Sequence, residues 1–308
     1  MKKTKQHSEG LLKRIRNLII GGFFIFISYL PFWILYGISD FFYLIIRHIV
    51  KYRFKLITEN LSFAFPYKSD EEIGKIRNRF YRHLCDSIVE GVKMYSMSEK
   101  QMEKHISFKG LELADKYVKE KKSLIILATH HNNWEWCSYS QVKVKHLILM
   151  VYSPMRGNNL MEKFLLKSRE KWGGKCVPMN KTGRTLVNYN RKGKLTGLWL
   201  AADQTALASS KFWAMFMNRA APFYSGPAKI AIKTNQPVFF QYVKKVKRGK
   251  YIAEYSLLYE EPAKLEEKDI LLGYIRRMEE VIREEPEYYL WSHRRWKHIR
   301  PDDIPLTV

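Results

Sequence analysis

From Leu18 to Ile38 the chain carries no charged side chain. A run of that length can cross a hydrocarbon core of about 30 Å, and it must be buried in protein or in lipid. Before it stand Lys2, Lys3, Lys5, Lys13, Arg14 and Arg16 against Glu9 alone. Pro31 interrupts the run and no small-x-small cleavage site closes it, which argues against a signal peptide. A second apolar piece, Phe41 to Ile46, follows Asp40, and Arg47, Lys51, Arg53 and Lys55 come next. Positive charge on both flanks leaves orientation open. Two arrangements fit, a single span or a Pro31-bent shallow anchor with both ends on one side. The division predicted is a basic cytosolic tail at 1–17, a membrane anchor segment at 18–50, and a folded domain at 51–308.

The folded part has to account for the charge. Lys and Arg total 54 against 30 acids, a formal net charge of +24, which calls for an anionic partner: nucleic acid, acidic lipid, or an acidic protein or substrate. Nucleic acid fits poorly, because there is no helix-turn-helix pattern, zinc-ligand set or aromatic strand motif, and the apolar run counts against it. Cys85, Cys137 and Cys176 form no CxxC and read as reduced thiols. No metal-ligand spacing is present, since His130 and His131 are adjacent without a second ligand pair.

Periodicity then sorts the domain. Short apolar runs at Leu124–Ala128, His146–Tyr152, Leu195–Ala201, Pro237–Val243 and Ile252–Leu258 read as strands. Ser69-Asp70-Glu71-Glu72 resembles a capping box. Ile73, Ile76, Phe80, Leu84, Ile88 and Val92 behind it predict an amphipathic helix over 70–95. Further helices are predicted at Asn158–Lys171, Thr182–Arg191, from Ser225-Gly226-Pro227 to Lys233, and at Leu265–Glu284. Strand–helix alternation predicts an α/β fold: a mixed, partly parallel sheet flanked by helices, with an N-terminal hydrophobic membrane helix.

The chemistry is expected where the strand Leu124–Ala128 stops at Thr129-His130-His131-Asn132-Asn133-Trp134-Glu135. Either asparagine can cap a following helix. In open α/β sheets ligands bind at the carboxyl ends of strands. On one helix His130 and Glu135 would point about 140° apart, but across a strand–turn–helix corner they can converge. His130 would then be a general base whose second ring nitrogen is held by Glu135, a triad without its serine. Taken alone, the two residues fit better as a capping or core histidine and an acid that favours a helix start.

More of the chain bears on this corner. Tyr52-Arg53, Asn60-Leu61, Phe65-Pro66, His130-x4-Glu135, Tyr152-x-Pro154, Arg169, Asp203-Gln204 and His293-Arg294-Arg295-Trp296-Lys297 occur in this order. With the N-terminal apolar segment, this set resembles the bacterial lipid A biosynthesis (late) acyltransferases, within the lysophospholipid acyltransferase-like group. The resemblance covers nearly the whole chain and makes 51–308 an acyltransferase domain. It implies transfer of a fatty acyl chain from an acyl carrier protein, or coenzyme A, to a hydroxyl of a membrane glycolipid, with a lipid A precursor favoured. No cofactor beyond the thioester co-substrate is implied. The implied partners are acyl carrier protein, anionic lipids and a phosphorylated glycolipid acceptor, at the cytoplasmic face of a bacterial inner membrane.

The resemblance also places Arg169 and Asp203 in the catalytic group. Arg169 can bind a phosphate or stabilise an oxyanion; Asp203 can orient Arg169 or hold an acceptor hydroxyl. Ser153 stands where the family often has Arg or His, so Arg156 and Asn158 are expected to supply substrate contacts in that loop. His131 reads as a loop histidine. The bulky stretch holding Phe212 and Phe216 either lines an acyl groove or packs under the sheet. Arg294 and Arg295 are expected to meet phosphates or the acidic carrier. No GxSxG elbow is present, so a serine hydrolase is not expected.

Overall fold

Leu124–Ala128 is buried at all five positions, as an interior strand flanked by parallel neighbours should be. The computed structural model describes the backbone of residues 11–155 and 157–307, and side chains from residue 19 onward. The chain opens with helices α1 (Leu11–Tyr29), α2 (Phe32–Leu44, continued by a π turn, Ile45–Ile49), α3 (Phe54–Ala64), α4 (Asp70–Met94) and α5 (Glu99–His105). Strand β1 (Ile106–Lys109), α6 (Ala114–Lys119), β2 (Leu124–Ala128), a 3-10 stretch (Trp134–Lys143) and β3 (Leu147–Tyr152) follow. Next come α7 (Asn159–Glu170), β4 (Lys175–Pro178), α8 (Thr182–Arg191), β5 (Thr196–Ala201), β6 (Trp213–Phe216) and β7 (Arg219–Pro222). The chain closes with α9 (Gly226–Thr234), β8 (Val238–Lys247), β9 (Lys250–Tyr259), α10 (Glu267–Glu284) and β10 (Leu306–Thr307).

Among the described residues, seven strands form one sheet in the order β1-β9-β8-β2-β5-β3-β4. Only β8 and β9 run antiparallel, as a hairpin; the other pairings are parallel. This is the expected mixed α/β sheet. β2 lies between β5 and β8, with Ala128 opposite Ala201 in the register. The residues just past β2 and β5 are therefore neighbours. One large apolar cluster packs α3, α4, α9 and α10 on one face of the sheet, and a second fills the other face around Trp136, Tyr139 and Tyr251.

The predicted helix over 70–95 is α4, and its capping box is present: the Ser69 hydroxyl accepts from Glu72 N–H while the Glu72 carboxylate accepts from Ser69 N–H. The uncharged N-terminal run is not one helix. It breaks between Tyr29 and Phe32, because Pro31 lacks the N–H that a continuing helix would need. Among the described residues, the helical segment long and apolar enough to cross a membrane is Phe32–Ile49. α1 and α2 lie against α4, where the Lys93 ammonium donates to the Ser28 and Leu30 carbonyls and the Ser39 hydroxyl donates to Asp86. Their other side exposes Phe23, Phe26, Tyr29, Trp33, Phe41 and Ile49.

The stretch around Phe212 and Phe216 is not a loop. Trp213–Phe216 is β6, in a small sheet with β7 and β10. Phe212 and Phe216 are buried in the large apolar cluster, and Phe216 packs its ring on Phe223, Tyr289 and Trp296. Their expected place in a substrate groove is therefore corrected. Facing aromatic rings bury enough apolar area to favour the core over an open groove.

Candidate active site

The register just described brings His130 and Asp203 together. The His130 ring Nδ1 lies 2.6 Å from Asp203 Oδ1, and the His130 backbone N–H donates to Oδ2 at 3.0 Å. The Thr129 hydroxyl donates to the same oxygen at 3.2 Å. Asp203 is 1% exposed. Burial pushes its carboxyl up, but the His130 ring and these hydrogen bonds outweigh burial and hold it below the usual range. An ionised Asp203 can accept from a proton-bearing Nδ1, and in that neutral tautomer Nε2 carries the lone pair. The Gln204 amide nitrogen is 3.2 Å from Nε2, matching a donor on a lone pair.

Glu135 does not hold the His130 ring, contrary to the sequence expectation. Both its oxygens accept from Arg169, at 2.7 Å from Nε and 2.5 Å from a terminal nitrogen. Burial raises the Glu135 carboxyl, and the adjoining guanidinium overrides it and brings it down. The same pair corrects the idea that Asp203 orients Arg169. Chain proximity favoured Glu135, whereas the partner that reaches Nδ1 arrives 73 residues later from the adjacent parallel strand. Arg169 and Glu135 nonetheless share one cavity with His130.

The turn between them is built by the two asparagines. Asn132 adopts a left-handed backbone (φ 55°), which Asn tolerates better than most residues. Its side-chain amide donates to Val243 O, and its N–H donates to Tyr288 O. Asn133 caps the 3-10 stretch by accepting from Trp136 N–H. Its amide also donates to Glu90 Oε2 at 2.7 Å. Glu90 is fully buried and accepts from the Tyr36 and Tyr251 hydroxyls as well. Sequence reading passed over Glu90, since it sits inside an amphipathic pattern as one more helical acid. His131 is buried as well, its ring nitrogens facing the Val243 and Glu285 carbonyls, so it is a fixed structural residue of the turn.

Beyond Nε2 opens a cavity of about 550 Å³. Ile148, Met150, Leu165, Leu166, Trp199 and Ile230 give it apolar walls; His130, Glu135, Arg169, Gln204 and Tyr224 are polar groups on it. It lies outside the carboxyl ends of β2, β3 and β5, where a parallel sheet places its ligands.

The remaining expected contacts divide. Arg156 lies outside the described residues. Asn158 caps α7 by accepting from Met161 N–H, and it is exposed and off the cavity wall. Arg294 is exposed and does not line the cavity either. Arg295 is 1% exposed, donates to Pro222 O and lies over the Phe216 and Phe223 rings. It cannot meet a phosphate or a partner there, so that expectation is corrected. The segment carrying it instead supports the site from behind: Thr205 N–H donates to His293 Nε2 and Leu290 N–H to His130 O.

A strand-end histidine–aspartate pair at an apolar cavity of an α/β fold is an arrangement suited to acid–base chemistry. The chain belongs to the bacterial lipid A biosynthesis acyltransferase family, whose model matches residues 1–298, and it is an acyltransferase of that type. A search of curated proteins returned no match.

Proposed function

We propose that the protein transfers a fatty acyl chain from a thioester, borne by acyl carrier protein or coenzyme A, to a hydroxyl of a membrane glycolipid of the lipid A precursor type. The observation that carries this reading is the 2.6 Å His130–Asp203 pair set at an apolar cavity. An alcohol is a weak nucleophile at neutral pH and needs a base beside it. His130 Nε2 takes the hydroxyl proton as the oxygen attacks the thioester carbonyl carbon. Asp203 stabilises the imidazolium that forms. The tetrahedral intermediate collapses, the C–S bond breaks, and the imidazolium returns its proton to the departing thiolate. Ester and thiol are the products, and no enzyme nucleophile is consumed.

The other groups fit supporting parts. The acyl chain lies along the apolar walls between β3, β5 and α7. The Gln204 amide, already beside Nε2, is placed to donate to the acceptor oxygen. Arg169, locked in two-point contact with Glu135, gives the cavity a fixed cation for an anionic group of the acceptor. The exposed aromatic face of α1 and α2, with Arg47, Lys51 and Arg53 after it, serves as the membrane anchor that brings the site to its lipid. The test is His130→Ala with a defined thioester donor and glycolipid acceptor, following the acylated product by mass. Folded protein with no product is expected; undiminished transfer by that variant would remove the general-base assignment.

A further inference from the structure

Between Lys171 and Ala202 the sequence holds no acid, while Lys175, Lys181, Arg184, Arg191, Lys192 and Lys194 are all exposed. Ion pairs neutralise some of the exposed cations elsewhere, as in Lys75–Glu71, Lys116–Glu260, Lys143–Glu103 and Arg283–Glu279. Among the described residues none of these six has a carboxylate partner. Lys181 and Arg184 stand at the carboxyl end of the sheet, and α8 runs back from there to Arg191, Lys192 and Lys194 at the amino end of β5. α8 turns Leu186 and Tyr189 towards the apolar cluster on β3 and β5, which sends Lys181, Arg184 and Arg191 outward along a single stripe. The first turn of α8 and the residues before it, Met179, Thr182 and Gly183, form a wall of the cavity that His130 faces. A positive stripe without acidic neighbours in sequence thus starts beside the acyl cavity, at Lys181 and Arg184, and continues along α8.

We infer that this α8 stripe is the docking surface for an acidic carrier protein that presents the acyl thioester to the cavity. The inference rests on the acyltransferase reading and names the partner's footprint. Complementary charge steers such a partner and fixes its orientation without a large apolar contact. The composition of the stripe separates it from a lipid-binding face. Asn180, Asn188 and Asn190 lie between the cations, and the stripe exposes no large aromatic ring, whereas the α1–α2 face exposes Phe23, Phe26, Tyr29, Trp33 and Phe41. The bilayer contact is thus already provided elsewhere.

The test reverses the stripe with the combined variant Lys181→Glu, Arg184→Glu, Arg191→Glu, none of which lines the cavity. Two donors carry the same acyl group, one on acyl carrier protein and the other on uncharged N-acetylcysteamine. The KM for the carrier-borne donor is expected to rise at least tenfold and to lose most of its salt dependence, with turnover of the small thioester unchanged. Equal losses with both donors, or an unaltered carrier KM, would overturn the docking surface. So would weakened binding to anionic phospholipid vesicles at unaltered carrier KM. Direct calorimetric binding of the carrier reads the surface without turnover. Wild-type binding that the variant loses, with no acyl transfer by either, would sink the catalytic reading and leave the docking surface standing.

Discussion

Replacing Asp203 by Asn separates the observed pairing from the one the sequence suggested. Asp203 accepts three donors: the Thr129 hydroxyl and His130 N–H at Oδ2, and His130 Nδ1 at Oδ1. Asn keeps one oxygen. The His130 N–H is fixed by the backbone and claims it, so the new NH2 group faces Nδ1. Nδ1 must then accept, its proton moves to Nε2, and the nitrogen that should take the acceptor proton already carries one. An exchange of this kind behind a catalytic histidine costs about 10⁴ in turnover in the serine-protease triad, or about 5.4 kcal/mol of transition-state stabilisation. We expect a fall of roughly 10³–10⁴ here, with KM for the donor little changed because Asp203 is off the cavity wall. Steady-state turnover with saturating donor measures it, and circular dichroism confirms the fold. If Asp203→Asn kept turnover within tenfold while Glu135→Gln lost it, Glu135 would be the histidine's partner and the pairing argued here would be wrong.

Glu90 gives a pH signature. Burial, opposed by Lys245 and by the Tyr251 and Tyr36 hydroxyls, raises its carboxyl from 4.5 to about 7. The native state thus holds a proton that the unfolded state has released, and this contribution to stability is lost as pH rises from 4.5 to about 7, by at most about 3 kcal/mol. Urea unfolding of wild type and Glu90→Gln across that range should show a flatter profile for the variant; parallel profiles would disprove the assignment. Phe216→Ala should cost about 3–5 kcal/mol of stability, read as a lower urea midpoint, with the chain-length preference of any retained activity unaltered. An altered preference at full stability would return Phe216 to the substrate groove.

Much of the architecture is legible along the chain because the signals are local. The apolar run Leu124–Ala128, the Ser69–Glu72 capping box and the 3.6-residue pattern behind it each report a single element, and each forms as read. Pro31 likewise breaks the N-terminal run where its missing N–H demands. His130 at a strand's carboxyl end, and the presence of Arg169 and Asp203 in the same constellation, also follow from element ends and family pattern. Which carboxylate serves which cation does not. Glu135 is five positions from His130 and Asp203 is 73, yet strand register puts the distant one on the ring and leaves the near one to Arg169.

The same limit explains the other reversals. In the sequence Arg295 reads as a surface cation and Phe216 as either a groove or a core residue, and only packing shows both buried against Phe223. Glu90 looks like any helical acid until Tyr36, Asn133 and Tyr251 converge on it from three other segments. The elements, the charge and the chemical groups available follow from residue type and short-range period. Tertiary structure decided the pairings, because hydrogen bonds act over about 3 Å and only the folded register brings residues from distant parts of the chain that close.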